Sequence, residues 1–236
     1  MALRTPRGMT LIEMLMVIAI IGIVSAMSAA TVIRIGERNA TQSASNDILS
    51  ALQSMRSRSL QRGSDVYVLV YPTFKKTSPT AGSVTGGPGA LFFYEDVDGD
   101  FLTGTGPCNG SGECSWLNFN PASNQIRSAV TENDRLLRAI YLDDYAGANV
   151  RFGKQSGKGW GDPFASLPPT NVDGCTFCSS NKGALLFSDS QLVLLNGSGA
   201  VAPGRFGGLA LQGVKNNENQ FLIGLVRATG LIVTSR

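Results

Sequence analysis

The 236-residue chain contains no histidine. That excludes Ser-His-Asp and Cys-His catalysis and removes the commonest side-chain ligand of transition metals. Charge is scarce as well: 16% of the residues are Asp, Glu, Lys or Arg, and Glu13 is the single charged residue from position 9 to position 33. Proline is missing from that same stretch, so nothing in it breaks a helix. The net charge of +3 drops to +1 without Arg4 and Arg7. Nucleic-acid binding therefore has no electrostatic footprint. No nucleophile–base pair is recognisable, and the expectation is a non-catalytic protein.

What fills the uncharged stretch is apolar. As an α-helix, residues 9–33 extend roughly 37 Å, and a bilayer core needs about 20 apolar residues. The segment reads as a membrane-spanning helix; a buried core helix is the alternative. Residues 34–62 continue it in amphipathic form, with Ile48, Leu52 and Met55 at i, i+4, i+7. Arg56, Arg58 and Arg62 sit where the negative end of the helix dipole favours cations, and Gly63 suits the residue that ends the helix. One helix over about residues 10–62 is predicted. Within its apolar half, Gly22, Ala26 and Ala30 recur every four residues, a spacing that lets helices approach closely in an apolar medium.

From Asp65 the texture becomes strand-like. Strands are expected at 66–71, 91–94, 116–119, 135–142, 150–152, 184–188, 191–195, 208–212, 220–227 and 231–234, with loops at 73–90, 103–115 and 153–182. One long helix followed mainly by strands is an α+β architecture. Gly 28 and Pro 10 fit a loop-rich β domain.

Gly8-Met9-Thr10-Leu11-Ile12-Glu13, behind a basic leader and ahead of an unbroken apolar helix, resembles the prepilin peptidase site of type IV pilins and type II secretion pseudopilins. An ordinary secretory signal is cleaved after its apolar run, not before it. The resemblance implies a leader at residues 1–8 cut after Gly8, and a new N-terminus at Met9 that becomes N-methylated. It also implies that residues 9–33 serve first in the membrane and later in a filament core, that residues 34–62 pack on the head, and that a β-rich head occupies 63–236. Arg4 and Arg7 then act as the positive-inside signal. Many major pilins carry a proline in the apolar segment; this chain departs from them there. The order of strands and glycines after Gly183 is similar to the H-type minor pseudopilin and minor pilin subgroup, whose heads are two antiparallel sheets packed on the second half of the helix.

A carboxylate inside an apolar helix is expensive and usually has a functional partner. The family resemblance gives Glu13 one, the α-amine of a neighbouring subunit, and so an assembly role; a glutamate reaching toward the interface is the bland alternative. Asp96, Asp98 and Asp100 stand at alternate positions, as in a loop that binds Ca²⁺, although Pro107 stands where an EF-hand needs its closing Glu. An Asp-Gly hairpin turn between Tyr94 and Phe101, acids toward solvent, is the preferred reading of them. Four cysteines, Cys108, Cys114, Cys175 and Cys178, favour disulfides in an exported chain. Three connectivities are open, the local pairs 108–114 and 175–178 being preferred. A four-thiolate zinc site and a redox motif at Cys175 and Cys178 are the alternatives.

The reading that gathers these features is a minor pilin subunit of a type IV pilus. It would be an inner-membrane single-pass protein with a periplasmic head, later built into the pilus. The alternatives are an H-type minor pseudopilin of a type II secretion system, or an adhesive head on a pilus tip with Trp116, Trp160 and the cysteine loops as its surface. Implied partners are other pilins or pseudopilins, prepilin peptidase, the inner-membrane assembly platform and a tip adhesin. No cofactor is expected beyond a possible Ca²⁺.

Overall fold

The computed structural model describes residues 10–78, 81–83, 85–97, 99, 101, 116–117, 134–145, 149–155, 159–160, 164–165, 167, 174–188, 191–215 and 219–235; at 27–34, 78, 81 and 235 it describes backbone only. The apolar run and its polar continuation form α1 (Leu11–Arg62). Gly63 ends it in the left-handed region at φ +66°, and its N–H donates to the Ser59 carbonyl at 2.9 Å. Glycine suits that position because a Cβ is strained there. The chain divides into two units, residues 1–36 and 37–236, which are taken separately.

In the first unit every described side chain from position 10 to position 26 is exposed. Among the described residues no helix is long and apolar enough to cross a membrane; the run of described side chains stops at Ala26.

In the second unit α1 buries Ala40, Ala44, Ile48, Ala51, Leu52 and Met55 along one face, the 3.6-residue period of an amphipathic helix. They meet the inner faces of two antiparallel sheets in a single cluster. The larger sheet contains β1 (Val66–Tyr71), β4 (Ala90–Glu95), β5 (Arg135–Tyr141), β7 (Gly183–Ser188) and β8 (Gln191–Asn196), in the order β5-β4-β1-β7-β8. The smaller contains β6 (Val150–Phe152), β9 (Phe206–Gly213), β10 (Gln220–Val226) and β11 (Leu231–Ser235), in the order β11-β10-β9-β6. The expected α+β class with two antiparallel sheets is what forms.

The alternation along β1 feeds two cores. Val66, Val68 and Val70 face the helix. Tyr67, Leu69 and Tyr71 face away, into a second cluster with Phe74, Phe92, Tyr94, Phe101, Trp116 and Tyr141. Both faces being covered, the strand is buried at every position. A third cluster lies on the outer face of the smaller sheet, where Trp160 and Phe164 pack on Ala210 and Leu222. Glycines make room for them: a Cβ on Gly208 would lie 2.5 Å from the Trp160 ring, and one on Gly224 2.3 Å from the Phe164 ring.

Three expectations are corrected. The stretch 73–90 is not all loop: β2 (Lys75–Ser78) and β3 (Ala81–Ser83) pair as a two-stranded ribbon, a third small sheet. Phe74, fully buried in the second core, anchors it, and Gly82 gives that ring space. Trp116 and Leu117 form a turn instead of starting a strand at 116–119; Trp116 N–H donates to the Phe101 carbonyl at 2.9 Å and the indole fills the second core. Third, the residues from Asp96 to Phe101 do not join a hairpin, because β4 pairs with β5, far along the chain.

Candidate functional site

At the start of α1, Thr10 and Glu13 cap each other. The Thr10 backbone N–H donates to Glu13 Oε2 at 2.8 Å and its hydroxyl donates to the same oxygen at 2.9 Å. The Glu13 N–H returns to Thr10 Oγ1 at 3.4 Å. This is the reciprocal capping box, which satisfies two backbone donors that the first turn leaves open. Its signature, Thr-x-x-Glu before an apolar run, is written in positions 10–13, yet the sequence reading assigned Glu13 to assembly and passed over Thr10. Around the cap every described side chain is exposed, and a Cβ on Gly22 would meet nothing within 4 Å. Gly22 and Ala26 thus offer an open face; the Ala30 side chain, and Gly8 and Met9, lie outside the described residues.

The other candidates sit in the 37–236 unit. Asp96 is buried, not solvent-facing. Its Oδ1 accepts from Gly99 N–H at 2.7 Å and its Oδ2 from Phe101 N–H at 3.3 Å, so this carboxylate shapes a turn. Asp98 and Asp100 lie outside the described residues, as do Cys108 and Cys114. Among the described residues no cluster of three or more metal-ligand side chains occurs.

Cys175 and Cys178 form a disulfide, Cα atoms 5.5 Å apart. It closes a clasp between the sheets. Cys175 bridges to Leu209 on β9, while Ser179 bridges to Lys182 just before β7. The Ser179 hydroxyl accepts from Gly197 N–H at 2.9 Å, beyond the end of β8. Replacing both cysteines by Ala is expected to lower stability by about 2 kcal/mol, the loop-closure value for so short a loop. Urea unfolding of the oxidised protein checks it; an unchanged midpoint would show that the clasp holds by its hydrogen bonds alone.

Trp116 and Trp160 are both buried, so neither indole can form the surface of an adhesive head. Lys182 closes over the first: its Nζ lies 5.5 Å from the Trp116 ring centre and donates to the Leu117 carbonyl at 2.5 Å, and burial pulls its pKa down.

Sequence reasoning also missed an ionic cluster joining the end of α1 to β4. Glu95 is 1% exposed. It accepts from Arg58 Nη2 at 2.7 Å, Ser64 Oγ at 3.1 Å and Arg62 Nη1 at 3.4 Å. The Arg58 hydrogen bond is the main reason that its carboxyl titrates below the ordinary value.

Among known protein families, the Prokaryotic N-terminal methylation motif matches residues 3–29. That span holds Gly8, Met9, the Thr10–Glu13 cap and most of the apolar run. No curated protein and no solved structure gives a significant match. The matched motif supports a type IV pilin-like or pseudopilin precursor, with the processing by peptidase and the pilin-type partners that such a precursor implies.

Proposed function

We propose that the chain is the precursor of a minor pilin of a type IV pilus, with no catalytic activity of its own. Prepilin peptidase cuts after Gly8 and Met9 is N-methylated. Residues 9–33 anchor the precursor in the inner membrane, with the head in the periplasm, until the assembly platform draws it into a filament. The observation that carries this reading is an apolar run, exposed from position 10 to position 26, whose one carboxylate lies in a prepilin-type motif. Such a surface is stable in lipid or against other apolar helices and unstable in water. The head favours a minor subunit: its long stretches at 73–90, 103–115 and 153–182 suit a few copies at a tip, beside an adhesin or priming partners, better than a repeated shaft. The same helix would serve a pseudopilin equally.

Intact-mass spectrometry of the membrane-extracted protein tests the processing. The mature chain is expected to begin at Met9 and carry one added methyl group, and Gly8→Val is expected to retain residues 1–8. A mature chain that keeps its leader, or starts elsewhere, refutes the proposal. Quantification in purified filaments tests the minor role, which fails if the subunit matches the main pilin in abundance.

A further inference from the structure

Among the described residues, one of the outer strands of the two sheets is left without protection. An unpaired edge is a template for another chain, and proteins blunt such edges with charges, bulges, brevity or cover. β5 carries Arg135 and Arg138, and its ladder to β4 shifts register between Phe93 and Tyr94. β8 is covered: Leu195 bridges to Val201, Ala202 N–H donates to the Leu194 carbonyl, and Leu192 N–H to the Arg227 carbonyl. β6 is three residues long, and Phe152 N–H donates outward to the Pro88 carbonyl. β11 has none of these devices among the described residues. It reads Leu-Ile-Val-Thr-Ser, pairs with β10 in unbroken register, and has no ladder partner on its other side among the described residues.

Beside β11 runs a groove of about 280 Å³, walled by Gln53, Arg56, Ser57 and Leu60 of α1 and by Leu231 and Ile232. The four helical residues follow i, i+3, i+4, i+7 and so form one stripe parallel to the helix axis. Leu60 and Leu231 stand 54% and 50% exposed. Arg56 lies across Gly230, and its Nη2 donates to the Thr229 carbonyl at 2.7 Å. Its Nε is shielded from water and donates to nothing among the described residues. Arg58 and Arg62 share Glu95, but Arg56 has no carboxylate within ion-pair distance among the described residues.

We propose that β11 and this groove dock an extended segment of another protein chain. The segment adds as a fifth strand to the smaller sheet, lays apolar side chains over Leu60 and Leu231, and sets an acidic side chain against Arg56. Main-chain hydrogen bonds supply affinity in such strand addition and side-chain pockets supply choice. Charge decides against a second copy as occupant: its β11 offers no acid to set against Arg56. The proposal stands apart from the filament reading, since it needs only the 37–236 unit.

The test uses the full chain in detergent micelles and three fluorescein-labelled peptides. One is the blocked hexapeptide Thr-Val-Glu-Val-Thr-Val; the second has Lys for Glu, the third Pro for its central Val. Saturable anisotropy is expected for the first, at least about tenfold weaker binding for the second, and none for the third. Amide exchange should slow at positions 231–235 when the first peptide binds. Arg56→Ala should weaken the Glu peptide about tenfold and leave the Lys peptide unchanged. Leu60→Glu, a change at an exposed position that the fold tolerates, should repel the Glu peptide while melting like the parent. Absence of saturable binding, equal affinity for the Glu and Lys peptides, or protection elsewhere overturns the proposal. Self-association through β11 that the peptides block would assign the edge to a second copy and overturn it too.

Discussion

Glu95→Ala is expected to lower the unfolding free energy by about 3 kcal/mol, the usual loss when one member of a buried ion pair is removed. Glu95 is almost wholly enclosed, and Arg58, with 30% of its side chain exposed, is its close partner at 2.7 Å. Arg62, half exposed and at 3.4 Å, contributes little, because water screens such a contact. Without the carboxylate, Arg58 keeps a shielded Nε with no acceptor among the described residues, and its charge loses its close partner. Glu95→Gln keeps an acceptor and should lose less. The same cluster sets an acid dependence. The folded-state pKa of Glu95 lies below the ordinary 4.5, because Arg58, then Ser64 and the arginine charges, outweigh burial. The unfolded chain thus binds its proton first as pH falls. The contribution is complete above about pH 5 and is lost as pH drops through the lowered folded value. Urea unfolding of the full chain in detergent at pH 7 and pH 3 checks both points. The parent should weaken toward pH 3 by more than Glu95→Ala does; equal slopes would refute the assignment.

The contrast between Glu95 and Glu13 explains what the sequence made legible. Local patterns carried far: the helix with its Gly63 stop, the β-branched and aromatic run of β1, and the later strands each follow from residues within a short span. The second core did not: Phe74 lies in a stretch whose Gly, Ser and Thr content signals loop, Phe101 and Trp116 read as strand residues, and the burial of all three depends on a sheet face formed by distant residues. Glu95 was equally silent, since its partners lie over thirty positions away. The place given to the two indoles in the alternative of an adhesive surface failed because a sheet formed by distant residues covers them. An aromatic in a loop-like stretch reads as exposed until the sheet that it covers is known, as Trp160 over Gly208 shows. Thr10 is different. Its signal was local and complete, and the more conspicuous glutamate beside it drew the functional reading alone.

That pairing yields the sharpest test of the helix start. Glu13 has an intramolecular role, closing the Thr10 cap, and a proposed intermolecular one, meeting the α-amine of a neighbouring subunit. Substitutions separate them. Glu13→Gln retains a side-chain oxygen that can accept from the Thr10 N–H, and glutamine is accepted at that position of a capping box, but it carries no charge. Glu13→Ala loses both. A cap alone is worth about 1 kcal/mol, too little to stop insertion of a helix so apolar, so both variants should reach the membrane and be processed. If the charge meets an amine in a medium from which water is excluded, loss of either partner costs about 2–5 kcal/mol. On that account Glu13→Gln and Glu13→Ala should both reduce recovery with purified filaments by at least about tenfold, a factor equal to 1.4 kcal/mol. Should Glu13→Gln assemble like the parent while Glu13→Ala fails, the glutamate is a cap and nothing more. Thr10→Val completes the logic by removing the hydroxyl and leaving the charge: if the intermolecular contact dominates, this variant assembles, because Glu13 then exchanges a weakened local partner for the neighbour's amine.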